Sequence, residues 1–173
     1  MVRDRKELTS SGDRAVAVWR AFYDRSFHEA AGYAMRLTGG KSSAAEDLVH
    51  DAYLAMVRAW QNGRIDEMET GWLIVTIRHL FLNKLRDEGR EERRLRLVHS
   101  ASAPIDEPTV SSVDELLQDL PDRHRAALIL RYVDDLSVGE VAANLGLSLH
   151  ATESLLARAR DQVRRRRGEQ RHG

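Results

Sequence analysis

The sequence predicts an all-α protein of two small helical domains joined by a flexible linker. Three observations lead there. Apolar residues recur at three- and four-residue spacing through most of the chain. Only three prolines interrupt a sequence rich in Leu, Ala, Arg and Glu. Between 88 and 112 the periodicity is lost, and the chain turns charged, then rich in Ser and Pro. The expected division is a tail (1–15), a domain (16–90), a linker (91–112), a second domain (113–167) and a short tail (168–173). An N-terminal part of about 90 residues, tail included, and a C-terminal one of about 60 are within reach of small helical cores.

The first helix is expected over 15–40, with Trp19, Phe22, Tyr23, Ala30, Ala34 and Leu37 on one side. Gly39 and Gly40 can end it, because glycine takes the left-handed cap conformation cheaply. "SAAE" (43–46) has the spacing of a capping box, with Ser43 and Glu46 satisfying each other's backbone donors. A second helix should run from Ala44 to Trp60 on a stripe of Leu48, Val49, Ala52, Tyr53, Met56, Ala59 and Trp60. Asp47, His50, Asp51 and Arg58 fall off that stripe. "QNGRIDEMET" (61–70) reads as a loop. The third helix follows, apolar at Leu73, Ile77, Leu80 and Phe81 and polar at Arg78, Lys84 and Arg86.

The second domain opens on another capping-box pattern, "SVDE" (112–115). Pro121 suits a helix's first turn, where its missing N–H is no loss. "DRHRAALILRYV" continues the helix, and Asp134 and Asp135 mark a turn. "SVGE" (137–140) caps a short helix that ends near Leu145 at Gly146. Ser148 can cap the last helix, whose inner stripe is Thr152, Leu156, Ala159 and Val163, with Leu155 beside it.

Composition excludes several classes. No cysteine is present, so disulfides and Cys-based zinc sites are out. No apolar run approaches the ~20 residues of a membrane span. The charged start "MVRDRKELTSSGDR" lacks the apolar stretch of a secretory signal, and a cytoplasmic protein without membrane insertion is expected. Net charge is zero, but the charges are segregated. Residues 72–86 hold three cations and no acid, while 157–173 hold seven arginines against two acids. Residues 113–156 are acidic. Such local fields choose partners more than the total does.

No catalytic constellation, phosphate-cradling glycine loop or nucleophile elbow occurs, so neither an enzyme nor a cofactor is expected. His50 with Asp47 and Asp51 could suggest a metal. One imidazole and two carboxylates on one helix read more readily as a solvated face, and no metal site is assigned. "EVAANLGLSLHATESLLARAR" (140–160) has the spacing of a helix–turn–helix. Its second helix would offer His150, Glu153, Ser154, Ala157 and Arg158 to base edges, and the arginine cluster would neutralise phosphates. Along 72–86, cations interleave with Trp72, His79, Phe81 and Asn83, which suits unpaired nucleic acid. Phe81 reads as core; Trp72, at a helix start, fits either role.

Three stretches together resemble the bacterial sigma factors of the extracytoplasmic-function (ECF) class. They are "AEDLVHDAYLAMVRAW" (45–60), "GWLIVTIRHLFLNKLRDEGRE" (71–91) and "LLQDLPDRHRAALILRYVDDLSVGEVAANLGLSLHATESLLARARDQVRR" (116–165), in the family's order. The resemblance implies a factor that binds core RNA polymerase and directs it to promoters. It implies polymerase contacts by Asp47, His50, Asp51 and Arg58 on the β′ clamp helices, and a further contact on the β flap. The loop, with Asn62 and Arg64, would pocket a flipped base of the −10 element, whose extrusion costs a few kcal/mol. Trp72, Arg78, His79, Asn83, Lys84 and Arg86 would contact that element. Ser137, His150, Glu153, Ser154, Arg158 and Arg160 would serve the −35 element. An anti-sigma partner is usual in the class.

The chain also departs from the family pattern. His79 stands where the family often has Asn, and Asn83 where it has Asp. Thr152, Glu153 and Leu155 stand where many members have Val, Lys and Arg. A hydroxyl at Thr152 is tolerable if it bonds back to the preceding turn. Glu153 has Ala157 one turn on, so a helix ion pair is not its role; a carboxylate in the major groove can accept from a cytosine amino group. The competing reading is a stand-alone helix–turn–helix regulator with an N-terminal dimerisation or sensing bundle. Such a bundle would not need the basic, aromatic stretch 72–86.

Overall fold

The computed structural model describes the backbone of residues 3–95 and 112–169, with side chains over 14–88 and 115–168. These residues form α1 (Arg3–Thr38), α2 (Ser42–Gln61), α3 (Thr70–Leu95), α4 (Ser112–Gln118), α5 (Asp122–Tyr132), α6 (Val138–Leu145) and α7 (Leu149–Glu169). No strand occurs among them.

Helices α1, α2 and α3 pack on one another in every pairing. Their buried stripes are those that the helical period requires: Phe22, Ala30, Ala34 and Leu37; then Leu48, Ala52, Tyr53 and Met56; then Leu73, Ile77 and Phe81. Each large apolar side chain so buried contributes roughly 1.5–3 kcal/mol. Tyr53 keeps its hydroxyl satisfied in this core by sharing a 2.8 Å hydrogen bond with Ser26. Trp19 meets Tyr53 edge-on at 5.5 Å between centroids. Both Gly39 and Gly40 have positive φ, and the Gly40 N–H donates back to Met35 O at 2.9 Å, which closes α1.

In the C-terminal half α5 is the central helix. It packs on α6 and α7, and also on α1. Six successive residues, Arg125 to Leu130, are therefore buried, so α5 shows no open polar face there. Across from it lie Val141 of α6 and Leu156 and Ala159 of α7.

Several boundaries differ from those expected. Helix α1 begins at Arg3, so most of the expected tail is helical, through the capping-prone residues Thr9 to Asp13. Helix α2 begins at Ser42 with Lys41 at its N-cap, and no side-chain cap forms, so the box expected at 43–46 is absent. The glycine turn instead delivers Lys41 O to Ala45 N at 3.0 Å. Helix α3 runs on to Leu95, because "EGREERRL" is made mostly of good helix formers. Pro121 is the N-cap of α5 rather than its first turn. The expected linker beyond Leu95 and the Ser112 side chain lie outside the described residues.

Candidate nucleic-acid interface

The loop 62–69 joins α2 to α3. Asn62 and Arg64 are both exposed on it. Gly63, at φ +63, turns the chain, and Arg64 N donates to Ala59 O at 2.8 Å. Met68 is buried and anchors the loop's far side, where Arg25 of α1 donates to Met68 O at 3.2 Å. A short loop pinned at both ends is a fitted surface rather than a loose one. Along α3, His79, Asn83 and Lys84 are exposed, and Trp72 is half-buried against the core. Trp72 is thus packed against the core while staying partly accessible.

The other cations of α3 whose side chains are described, Arg78 and Arg86, are engaged. Arg78 lies against the turn after α5, where its Nη1 donates to Asp134 Oδ2 at 3.1 Å. The same oxygen accepts from the Tyr33 hydroxyl at 2.8 Å. The Arg78 and Asp134 side chains are only 15% and 8% exposed, so this ion pair is largely shielded from solvent. Burial, and then the adjacent Asp134 carboxylate, push the Tyr33 hydroxyl well above its ordinary pKa, so it stays a donor. Arg86 donates to Asn83 Oδ1 at 2.8 Å and to the backbone carbonyl of Asn144 in α6. The C-terminal half therefore covers two of the cations expected on the −10 face.

The helix–turn–helix is built as its sequence requires. Ser137 and Glu140 form a reciprocal capping box, with Ser137 N donating to Glu140 Oε2 at 2.8 Å. The Ser137 hydroxyl, then its backbone N–H, hold the Glu140 carboxyl below its ordinary range. Gly146 ends α6 at φ +64, and Leu147 N donates to Ala142 O at 3.0 Å. Ser148 Oγ accepts from Ala151 N at 3.2 Å, capping α7. Thr152 is fully buried and its hydroxyl donates to Ser148 O at 3.0 Å, so the polar atom on the inner stripe is satisfied. His150 and Glu153 are exposed, and Ser154 is half-buried. Glu153 has no partner among the described residues. Arg158 is exposed, with Nε donating to Ser154 O at 3.2 Å, while Arg160 reaches sideways to the Tyr132 hydroxyl at 3.4 Å. Burial, and then Arg158, lower the pKa of His124 on α5 behind this helix.

The outer face of α2 exposes Asp47, His50, Asp51 and Arg58. Beside it runs an apolar groove of about 530 Å³ between α1 and α2, with Trp19, Tyr23, Phe27, Val49 and Leu54 in its walls and His50 and Glu46 at its rim. A second apolar hollow, of about 250 Å³, opens between α4, α5 and α7 around Leu117, Ile129, Tyr132, Val133 and Val163. Tyr132 and Val133 stand 56% and 52% exposed there. Among the described residues, no three His, Cys, Asp or Glu side chains gather as metal ligands, and no helix is long and apolar enough to cross a membrane.

Two family profiles match in order: Sigma-70 region 2 over residues 22–91 and Sigma-70 region 4 over residues 111–163. Their span takes in the fitted loop, α3 and the helix–turn–helix. This chain belongs to the ECF sigma factors. Among relatives, the ECF RNA polymerase sigma factor SigE of Mycolicibacterium smegmatis is 30% identical over 141 residues, which are 76% of this chain and 54% of that one. SigL of Mycobacterium tuberculosis is 28% identical over 81% of this chain and 83% of its own. The RNA polymerase sigma factor YlaC of Bacillus subtilis is 27% identical over 83% and 88%. The chain thus spans about half the length of SigE and most of SigL and YlaC. A solved complex of the sigma factor RpoE with the anti-sigma factor NepR from Bartonella quintana aligns over 90% of this chain and 95% of that one, at 23% identity and a TM-score of 0.48. ECF sigma factors are DNA-binding initiation factors that work with RNA polymerase, and they are not enzymes.

Sequence reasoning missed two things: Tyr33 and Arg78 meeting at Asp134, and, separately, Arg125. Arg125 is 1% exposed and donates to Leu37 O at the end of α1 and to three carbonyls at the end of α4 and just beyond it, besides pairing with Asp122. Burial lowers its pKa, and Asp122 offsets part of that. One signal was present: Arg125 stands four residues before Ile129, on the apolar face of α5.

Proposed function

We propose that this chain binds core RNA polymerase, brings it to particular promoters, and divides promoter recognition between its halves. Asp47, His50, Asp51 and Arg58 of α2 meet the β′ clamp helices, with the neighbouring apolar groove supplying buried contact inside a polar rim. The hollow at Tyr132 and Val133 suits the β flap. Asn62 and Arg64 on the fitted loop, with Trp72, Arg78, His79, Asn83, Lys84 and Arg86 of α3, take the opened −10 strand. Ser137, His150, Glu153, Ser154, Arg158 and Arg160 take the −35 duplex. The protein works in the cytoplasm, where polymerase is, and an anti-sigma factor is the expected regulator.

One observation supports this reading most: a loop and helix bearing cations and aromatics, a helix–turn–helix, and a separate exposed, charged face on α2 occur in one chain. A stand-alone regulator needs only the helix–turn–helix. Asp51→Lys tests the docking face, because Asp51 is exposed and makes no contact on which the fold depends. The variant should keep wild-type helicity and lose about tenfold or more in core affinity, as reversing a rim charge does. Unchanged affinity in a competition assay would remove α2 as the docking helix.

A further inference from the structure

The start of α3 differs from the rest of the promoter face. Between Arg64 and Arg78 the chain has no cation, while Asp66, Glu67 and Glu69 are exposed acids. A phosphate is repelled there rather than held, so the backbone of a strand finds no partner on this stretch. What the stretch exposes is apolar. Val75 stands 38% exposed, on the outermost line of the helix between Gly71 one turn before and His79 one turn after. Trp72 and Thr76 flank it, both half-buried. Thr76 Oγ1 donates to Trp72 O at 2.9 Å, so its hydroxyl proton is spent on the helix itself. Trp72, Val75 and Thr76 thus make a small facet dominated by a ring and methyl groups.

This facet is continuous with the −10 face. Helix α3 starts at Thr70, directly after the loop that carries Asn62 and Arg64. His79 and Asn83 follow Val75 at four-residue spacing on the same exposed line. An apolar patch inside a nucleic-acid surface meets the apolar parts of a base, because the backbone is charged. Valine is too small to be a stacking platform, a part that falls to Trp72. Its methyl groups, held in few rotamers, match another methyl group. Among the DNA bases thymine alone carries one, at C5.

We infer that Trp72, Val75 and Thr76 form a thymine-reading facet for the opened −10 strand, with Val75 packed on the C5 methyl group while His79 and Asn83 meet polar edges further along. The inference deepens the assignment of α3 to that strand and rests on it. Val75 is then a specificity residue: it favours thymine over cytosine at one position and adds little elsewhere.

Deoxyuridine tests this, because it differs from thymidine only by the missing methyl group. Core polymerase carrying the full chain is titrated with a non-template oligonucleotide spanning the −10 element of a promoter that it uses, each thymine being replaced in turn by deoxyuridine. One replacement should weaken binding about fourfold, the worth of burying a single methyl group. With Val75→Ala, the thymine and deoxyuridine forms should bind alike at that position, while any preference elsewhere stays. The converse substitution should agree: 5-methylcytosine there should bind more tightly than cytosine to the parent, and equally to the variant. Alanine is a good helix former at an exposed site, so circular dichroism and core affinity should match the parent. If no thymine methyl group matters, or if its effect persists unchanged in Val75→Ala, the inference is overturned. A Val75→Ala loss equal for all sequences would overturn it too. Lys84→Ala separates the two levels. If it still slows promoter opening, the assignment of α3 to the −10 strand survives alone. If Lys84→Ala and His79→Ala both open promoters at the parental rate, the assignment fails and thymine reading fails with it.

Discussion

Glu153 stands on the exposed side of α7, one turn ahead of Ala157, with no described partner. A carboxylate facing phosphates weakens binding unless it accepts a hydrogen bond from a base. We therefore expect Glu153→Ala to change which −35 sequences are preferred, by about 1–3 kcal/mol at one base pair, rather than to alter all promoters alike. Competition among duplexes that vary at each −35 position measures this; a uniform change, or none, would make Glu153 a solvated charge. The exposure of Glu153 was legible from helical period alone. The engagement of Arg78 was not, because its partner Asp134 lies 56 residues away and belongs to the other half. Period reports which side of a helix is polar, and says nothing of what that side meets. Arg125 shows the same limit: its face could be read, but not the carbonyls it serves at the ends of α1 and α4.

At the scale of elements, turn chemistry carried most of the information. Gly146 and the Ser137–Glu140 box both do what their residue types require. Where a cap failed, at Ser43, the preceding glycine pair had already set the path of the chain. A Cβ on Gly146 would meet nothing within 4 Å, so its need is backbone alone, at φ +64. Gly146→Ala should therefore cost about 1–2 kcal/mol of stability, the left-handed penalty for a residue with a Cβ. Its effect on −35 duplex affinity should exceed its effect on core binding, since Gly146 sets how α7 follows α6. Urea denaturation with paired DNA and core titrations checks both. A loss above about 4 kcal/mol would mean that Gly146 does more than turn the chain.

For the whole molecule, two domains were legible from the break in periodicity after residue 88, while their closure was not. The buried cluster runs through both halves, and α5 touches α1 as well as its own neighbours. Such packing arises from contacts far apart in sequence, which composition and spacing do not encode. Promoter use should depend on core polymerase, which supplies the catalysis. The most direct measurement is transcription in vitro from fragmented genomic DNA by core polymerase with and without this chain, followed by sequencing of transcript 5′ ends. The account predicts a small set of new start sites sharing two upstream motifs at fixed spacing, seen only when both proteins are present. Tight duplex binding by the chain alone, with no new start sites when core is added, would contradict it.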